Sequence, residues 1–512
     1  MNISLNWLKQ YVDLDDKIDP KELGLKMTLA TVEVEDVIDQ GQSLENIFVG
    51  KVSELKKHPD ADKLQVVVVD LGDEKIEVVC GGANLKEGMI VAFSKIGAKV
   101  RWHGEGELIE LTKVKVRGVE SSGMICASDE IGLGDLFEHG DDDILDLSEL
   151  DLTVGEPLSK ALGFDDVVYD IDNKSLTNRP DLWGHYGMAR EVATIYNQKL
   201  KDYKIDKFKV GKEVDLKVKV ENKELCPRYL GVALKNIKIA ESPEWLKKFL
   251  QSVGQRPINN IVDITNYIMH DLGQPLHAFS ADKIKNEKIV VRTAKPGEKF
   301  TTLDGSEQEL IEDDLVIADS DKAVALAGVM GGENSQIGDD TELVIIESAN
   351  FDPTTIRKTA NRLDLRTDSS TRFEKSLDPN MAELALRRAV NLIQELIPEA
   401  EVVSEVVDVA NFELDLGPLD IGYEYINSRI GEELKKEEIK TTLTNLGFGL
   451  KESKQSLKVT IPSWRATKDV SVKEDIIEEI ARIYGYDNIT PKMPTVDLQL
   501  PEENMLRTFE RA

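Results

Sequence analysis

The sequence predicts a multidomain α+β protein in which a small β-barrel is inserted into an N-terminal helical or mixed domain. At 512 residues the chain is too long for one hydrophobic core, so three or four domains are expected. Its 41% hydrophobic and 31% charged residues are typical of a globular protein. The hydrophobic period changes from helical to strand-like and back along the chain, which indicates successive domains of different type.

Composition excludes several classes of protein. No run of about 18 apolar residues is present, so neither a transmembrane helix nor a membrane partner is expected. The first residues show no basic region followed by an apolar one, so no secretory signal is expected. Cys80, Cys126 and Cys226 lie far apart without a CxxC pair, which argues against a disulfide framework and a zinc site. We therefore expect a reducing cytoplasm. The net charge of −31 disfavours nucleic-acid binding, and nothing in the sequence indicates a DNA partner. A large acidic protein can still carry one basic face.

Residues 1–39 and 152–200 are predicted to form the N-terminal domain. Helices are expected at 5–11 and 23–29 and at the end of the motif TNRPDLWGHYGMAREVATIY, residues 177–196. Within this motif Arg179 is expected to pair locally with Asp181 or Asp172. We predict no chemistry for it.

Residues 40–151 are predicted to form the barrel. Val- and Ile-rich runs surround a GDEK turn, and further short strands follow at 90–93, 108–111 and 113–116. Many short strands with glycine-containing turns favour a small closed barrel such as an OB fold. Phe48, Phe93 and Trp102 could be core residues or stacking platforms, and core is the expectation for each.

A small basic cluster follows the first long strand of the barrel, and a solvated loop is its simplest interpretation. However, the segments HPDADKLQVVVVD, CGGANLKEGMIVAF and VRGVESSGMICASDEIG together resemble the tRNA-binding OB domain of some synthetases and auxiliary tRNA-binding proteins. That resemblance implies tRNA contact by Lys56, Lys57, His58 and Lys63.

Residues 207–397 are predicted to form a larger mixed α/β domain that carries an ordered series of polar groups. A lone histidine beside a turn, such as His277, is more often structural than catalytic. An acid that ends an apolar strand, such as Glu347, is either a paired core carboxylate or a ligand-recognition group. The series comprises Thr265, Asn266, His277, Gly331, Glu347, Thr367 and Ser369.

This series closely resembles the editing domain of the β-chain family of bacterial phenylalanyl-tRNA synthetases. The resemblance implies hydrolysis of tyrosine mischarged onto the phenylalanine tRNA. Such a second site is needed because a hydrophobic pocket rejects one added hydroxyl by only about a hundredfold. It also implies that a Glu347 carboxylate accepts the phenolic O–H, while the other residues of the series line the pocket and orient the ester. Ser369 stands where relatives often carry alanine. Because no catalytic triad is evident, the expected nucleophile is an oriented water.

Residues 404–485 are predicted to run strand, helix, strand, helix. In the last helix Ile476, Ile480 and Ile483 share one face, and the acids are expected opposite, where a solvated face is the simplest interpretation. By resemblance, the acids match carboxylates that the family contributes to a Mg²⁺ ion near the α-subunit boundary. The matching positions are Asp469, Asp475, Glu478 and Glu479.

The resemblance implies one subunit of a phenylalanine-tRNA ligase, in an α2β2 heterotetramer whose α chain binds ATP and attaches the amino acid. Residues 486–512 would then open a catalytic-like domain, and the chain would be shortened, artificially or naturally. Two alternatives stay open, a freestanding trans-editing hydrolase and a non-enzymatic tRNA-binding paralogue. The polar series argues against the second, and the acids at 469–479 argue against the first.

Overall fold

The structure is a computed structural model that describes residues 1–512 apart from 16, 105, 135, 138, 139, 141 and 494–504. The chain begins with β1 (Asn2–Ser4), α1 (Leu5–Leu8), α2 (Pro20–Ala30) and β2 (Val34–Asp39). α1 ends at Leu8 rather than at the predicted residue 11. α2 begins where it does because Asp19 accepts the N–H of Lys21 and Pro20 occupies the first turn.

A barrel-like sheet follows. Its strands are β3 (Ile47–Lys57), β4 (Gln65–Asp70), β5 (Lys75–Cys80), β6 (Ile90–Ser94) and β11 (Met124–Ile125), with β7 (Lys99–Arg101), β8 (Leu108–Glu110), β9 (Val114–Val116) and β10 (Val119–Ser121) forming two hairpins. The five-stranded order is β11-β6-β3-β4-β5, antiparallel throughout. The N–H of Ser122 donates to the carbonyl of Glu77 at 3.2 Å, which joins the two ends of the sheet. The predicted hairpin turn between β4 and β5 is confirmed.

The chain then returns to the N-terminal part through α3 (Leu158–Leu162), β12 (Val167–Ile171) and α4 (His185–Ile195). β12 lies between β1 and β2 in an antiparallel sheet. We predicted only helix and loop here. The sheet escaped prediction because its strands are short and the barrel separates β12 from its partners in sequence.

The next block contains two large sheets, one two-stranded sheet formed by its fifth and sixth strands, and five α-helices. Its elements are β13 (Lys217–Val220), β14 (Arg228–Lys235), α5 (Glu244–Ser252), α6 (Asn260–Leu272), β15 (Leu276–Ser280), β16 (Lys288–Thr293), β17 (Glu298–Thr301), β18 (Glu307–Leu310), β19 (Leu315–Ala318), β20 (Ala323–Leu326), β21 (Met330–Gly331), β22 (Val344–Asn350), α7 (Pro353–Leu363), α8 (Asp368–Phe373), α9 (Met381–Leu396), β23 (Glu401–Val402) and β24 (Val407–Ala410). One large sheet has the order β13-β16-β19-β20-β21. The other large sheet has the order β15-β22-β14-β23, with β24 also paired to β14.

β14 and β22 are buried along nearly their whole length because they are covered on both faces. One face packs against the other sheet in a core that includes Phe279, Ile345 and Phe351. The opposite face packs against α6 and α9. The hydrophobic period of the sequence predicts an apolar stripe of Leu386, Ala389, Ile393 and Leu396 along α9. The first three are buried, and Leu396 is partly buried against the same core. The two sheets and α6 thus enclose the region that holds the candidate site.

The last described unit contains β25 (Leu419–Gly422), α10 (Tyr423–Ile430), α11 (Lys436–Asn445), β26 (Gly449–Glu452), β27 (Ser456–Thr460) and α12 (Lys473–Tyr484). It has one more helix and one more strand than predicted, because Gly431, at φ 86°, ends α10 before α11 begins. In the predicted segment 486–512, residues 494–504 lie outside the described residues, and α13 (Met505–Glu510) follows them. Across the described chain no helix has the length and apolar character needed to cross a membrane.

Candidate functional site

A cavity of about 510 Å³ opens between the two sheets of the central block. Its walls come from α6, β15 and β22 on one side and from β19, β20 and β21 on the other, and the start of α8 closes one end. All seven residues of the predicted polar series line this cavity: Thr265, Asn266, His277, Gly331, Glu347, Thr367 and Ser369. Sequence reasoning missed further lining residues, among them Gln255, Asn259 and Asp368, which carried no motif of their own.

Glu347 and His277 lie directly opposite each other on β22 and β15. Glu347 is only 5% exposed, and its Oε2 accepts a hydrogen bond from the Tyr229 hydroxyl at 2.9 Å. Burial raises the pKa of Glu347 to about 8, although the bond from Tyr229 opposes the rise. The carboxyl is therefore mainly protonated at neutral pH, whereas we had expected an ionised acceptor.

His277 presents a neutral imidazole to the cavity. Burial lowers the pKa of His277 to about 4, and within the described chain its Nε2 has no hydrogen-bond partner. Gly331 makes room for the ring, since a Cβ there would lie 2.5 Å from the imidazole Cε1. An uncharged ring with one unused nitrogen can orient a polar group of a bound molecule.

The hydroxyls around the cavity are bonded to the backbone. Thr265 donates to the carbonyl of Val262 at 2.7 Å, and Ser369 donates to that of Gly328 at 3.2 Å. Thr367 caps α8 by accepting the N–H of Ser370 at 3.1 Å, and its own proton goes to the carbonyl of Val329. These residues therefore shape the wall, and no hydroxyl–imidazole pair typical of an activated nucleophile is formed among them.

The four predicted magnesium ligands do not form one cluster. Within the described residues no group of three or more His, Cys, Asp or Glu side chains is placed to hold a metal. Glu479, expected on the exposed face of α12, is only 5% exposed and accepts hydrogen bonds from Arg465 at 2.7 Å and Arg482 at 2.6 Å. Asp469 also pairs with Arg465, and it lies 3.6 Å from the Nε of Arg179.

The two other acids lie apart from these. Asp475 caps α12 by accepting the N–H groups of Ser471 at 2.7 Å and Val472 at 2.9 Å. Glu478 is exposed, as predicted for a solvated face. Because arginines neutralise Asp469 and Glu479, the four carboxylates do not fit a metal cage within this chain, and we derive no step through magnesium.

The arginines belong to a buried charge network that links α12 to the N-terminal part. Arg179 forms two 2.9 Å bonds to Asp181, as predicted, and a third of 2.6 Å to Glu191. Arg482 in turn donates to Glu191 at 2.7 Å. The segment 177–191, for which we predicted no chemistry, thus holds the N-terminal part against α12. No sequence signal identified this role, since its partners lie far away in the chain.

The predicted tRNA contacts divide into two groups. Lys56, Lys57 and Lys63 are exposed around the end of β3, and Lys56 pairs with Glu54 at 2.7 Å. His58 is buried, because its Nδ1 accepts the N–H of Asp60 and its Nε2 lies 3.1 Å from the carbonyl of Val116. A solvent-facing role for His58 is therefore wrong.

The three barrel aromatics also differ from one another. Phe93 lies in the core, as expected. Trp102 is 55% exposed, which contradicts the expectation of a core position. Phe48 is partly buried, with the amine of Lys95 4.4 Å from its ring centre.

Three domain models match parts of this chain. Residues 47–157 match the model of a putative tRNA binding domain, 225–398 the B3/4 domain, and 419–486 the tRNA synthetase B5 domain. The phenylalanine–tRNA ligase β subunit of Clostridium acetobutylicum is 42% identical over 493 residues, covering 96% of this chain and 60% of that protein. Over nearly its whole length the chain is therefore similar to a phenylalanine–tRNA ligase β subunit.

A second curated β subunit is also similar to this chain. The β subunit of Solibacter usitatus is 40% identical over 514 residues, covering 100% of this chain and 63% of that protein. The chain thus spans roughly three fifths of the length of these curated relatives. An N-terminal fragment of the phenylalanyl-tRNA synthetase β subunit from Pyrococcus horikoshii aligns at 20% identity with a TM-score of 0.35, over 63% of this chain and 88% of that one.

The candidate residues lie within the three matched domains. The B3/4 match contains every residue of the polar series around the cavity. The B5 match contains Asp469 and the acids of α12. The tRNA-binding match contains the lysines at the end of β3.

Proposed function

We propose that this chain contributes tRNA contact and hydrolytic editing to a phenylalanine–tRNA ligase, removing tyrosine from mischarged phenylalanine tRNA. An α chain would carry out the ATP- and Mg²⁺-dependent attachment of phenylalanine. The observation that carries the proposal is the convergence of all seven residues of the polar series on one cavity, with Glu347 buried in its wall. The similarity to phenylalanine–tRNA ligase β subunits supports the same reaction.

In this proposal the tyrosyl ring enters the cavity and its hydroxyl meets the Glu347 carboxyl. Phenylalanine would leave that buried carboxyl without the new partner, which disfavours its binding. The neutral imidazole of His277 orients the ester. A water oxygen then attacks the ester carbonyl, the bond to the terminal ribose oxygen breaks, and that oxygen takes up a proton. The products are tyrosine and uncharged tRNA.

The test is deacylation of phenylalanine tRNA charged with tyrosine or with phenylalanine, measured with this chain. Wild type should hydrolyse the tyrosyl ester faster. His277→Ala should slow both esters by a similar factor of about ten, because it removes one orienting hydrogen bond and leaves recognition of the ring intact. Unchanged rates in this variant would show that His277 has no part in the reaction.

The exposed lysines at the end of β3 supply the proposed tRNA contact, on a barrel of the OB type. Replacing Lys56, Lys57 and Lys63 together with alanine should weaken tRNA binding. It should also reduce the dependence of log affinity on log salt concentration by a little under one unit per lost phosphate contact. Binding should be titrated at several salt concentrations. The same change at three exposed lysines of the last unit, Lys435, Lys436 and Lys451, should leave that slope intact. Equal slopes in the two variants would assign the β3 lysines to a merely solvated surface.

Assembly completes the proposal. In this proposal the N-terminal domain comprises residues 1–39 and 152–200, the barrel 40–151, the editing domain 207–397 and the last α+β domain 404–485. The assembled enzyme is an α2β2 heterotetramer in the cytoplasm. A shared magnesium site would have to use the exposed Glu478 and the partly exposed Asp475 together with ligands from the α chain, because arginines pair with Asp469 and Glu479. Co-purification of an α chain with this chain tests the assignment, and loss of that association in a Glu478→Ala and Asp475→Ala double variant tests the metal ligands.

A further inference from the structure

Tyr229 is fully buried behind the cavity wall and makes the one hydrogen bond to the Glu347 carboxyl that the described chain provides. Its hydroxyl donates to Oε2 at 2.9 Å. On β14, Gly231 lies opposite Glu347, and Tyr229 lies two residues away. Tyr229 is therefore the diagonal neighbour of Glu347 on the same face of the sheet, which is the position from which a long side chain reaches across. The sequence motifs did not include it.

This bond distinguishes the two carboxyl oxygens. Without it the carboxyl could turn about its last torsion angle, which has broad minima. With Oε2 accepting from Tyr229, the proton of the neutral acid resides on Oε1. Oε1 is then a hydrogen-bond donor, and it is the atom left for a ligand in the cavity.

We propose that Tyr229 is a positioning residue for amino-acid selectivity, fixing the Glu347 carboxyl so that Oε1 donates a hydrogen bond to the phenolic oxygen of the tyrosyl group. This inference rests on the proposed editing function and specifies how that site recognises its substrate. Recognition then requires a hydrogen-bond donor at position 347 and does not require a negative charge there. The geometry requires the Tyr229 hydroxyl, since a phenylalanine there fills the same space without holding Oε2.

A glutamine at position 347 separates this arrangement from recognition by an ionised carboxylate. Its amide oxygen can accept from Tyr229, and its amide nitrogen then donates where Oε1 stood. Glu347→Gln should therefore keep the preference for the tyrosyl over the phenylalanyl ester within about threefold of wild type, a difference smaller than one hydrogen bond. A site that needs an accepting carboxylate would lose that preference in this variant.

The decisive experiment compares the ratio of deacylation rates, tyrosyl over phenylalanyl ester, in wild type, Tyr229→Phe, Glu347→Ala and the double variant of both. Tyr229→Phe should lower the ratio by about three- to tenfold, the equivalent of one neutral hydrogen bond. In the Glu347→Ala background the same change should have no further effect, because Tyr229 acts through that carboxyl. Tyr169→Phe is the matched control, because Tyr169 is as deeply buried and lies outside the cavity wall, and among the residues that the structure describes its hydroxyl has no hydrogen-bond partner.

The pH dependence of the rate ratio is a second measurement, and it would not change if Tyr229 had a purely structural role. Burial raises the pKa of Glu347 and the Tyr229 bond lowers it, so the pKa should rise further in Tyr229→Phe. The other titratable neighbours are His277 across the sheet and the buried thiol of Cys226, whose own pKa is raised by burial and by Glu347. If the ratio of tyrosyl to phenylalanyl deacylation rates changes at alkaline pH as Glu347 loses its proton, that change should occur at a higher pH in Tyr229→Phe than in wild type.

Three results would overturn the inference. A ratio unchanged by Tyr229→Phe but lowered by Glu347→Ala would leave editing in place without a role for Tyr229. An equal drop caused by Tyr229→Phe with and without Glu347 would show that Tyr229 acts through the fold. A wild-type chain with no preference for the tyrosyl ester would overturn both this inference and the proposed function, and is recognised before any variant is made.

Discussion

Glu479→Ala should lower the free energy of unfolding by about 3–5 kcal/mol, the usual cost of removing one partner from a buried ion pair. Glu479 accepts three hydrogen bonds of 2.6–2.9 Å from Arg465 and Arg482, and all three side chains are buried. Loss of its carboxylate leaves one buried positive charge in excess at the contact between α12 and the N-terminal part. Unfolding in urea, followed by circular dichroism, measures the effect.

Glu478→Ala is the matched control, because it removes the adjacent glutamate of the same helix from an exposed position. Its effect should stay within about 0.5 kcal/mol. Similar losses in the two variants would contradict the distinction between a buried and a solvated acid.

The same network should make the protein sensitive to acid. Burial alone would raise the pKa of Glu479, but Arg465 and Arg482 outweigh it and hold the pKa at about 2. Because the folded pKa lies below the unfolded one, this stabilisation is complete above the unfolded pKa, about 4.5, and is lost as the pH falls towards 2. The acid-induced loss should be smaller in Glu479→Ala, which has no carboxylate to protonate there.

Glu347→Ala should slow hydrolysis of the tyrosyl ester by about one to two decades, since the substrate hydroxyl would be buried without its partner at a cost of about 1–3 kcal/mol. Hydrolysis of the phenylalanyl ester should change much less, because phenylalanine has no hydroxyl to lose a partner. Selectivity should therefore decrease. Single-turnover deacylation of both esters measures this.

His277→Ala is the comparison for this variant, since it lies across the sheet from Glu347 and should slow both esters alike. Equal losses on the two esters for Glu347→Ala would exclude it as the residue that distinguishes them. Full activity in both variants would leave the cavity without a role in hydrolysis.

Sequence and structure agree best where a residue's environment is set by its own element. The stripe of α9 and the hairpin of β4 and β5 are such cases, because the hydrophobic period and the turn residues act locally. They disagree at His58 and Glu479. Both were placed at the surface because they lie among charged residues. His58 is instead buried beside the carbonyl of Val116, and Glu479 is buried against Arg465 and against Arg482 of its own helix.

The sequence by itself predicted, through its resemblance to phenylalanyl-tRNA synthetase β chains, the seven polar residues that line the cavity, because each lies in a recognisable run of residue types. Only the tertiary structure decided which carboxyl groups are charged, buried or free. Burial between the two sheets raises the pKa of Glu347, whereas Arg465 and Arg482 hold the pKa of Glu479 low. The charge state of a buried acid depends on its burial and on the groups that fold against it, and residue spacing along the sequence shows neither.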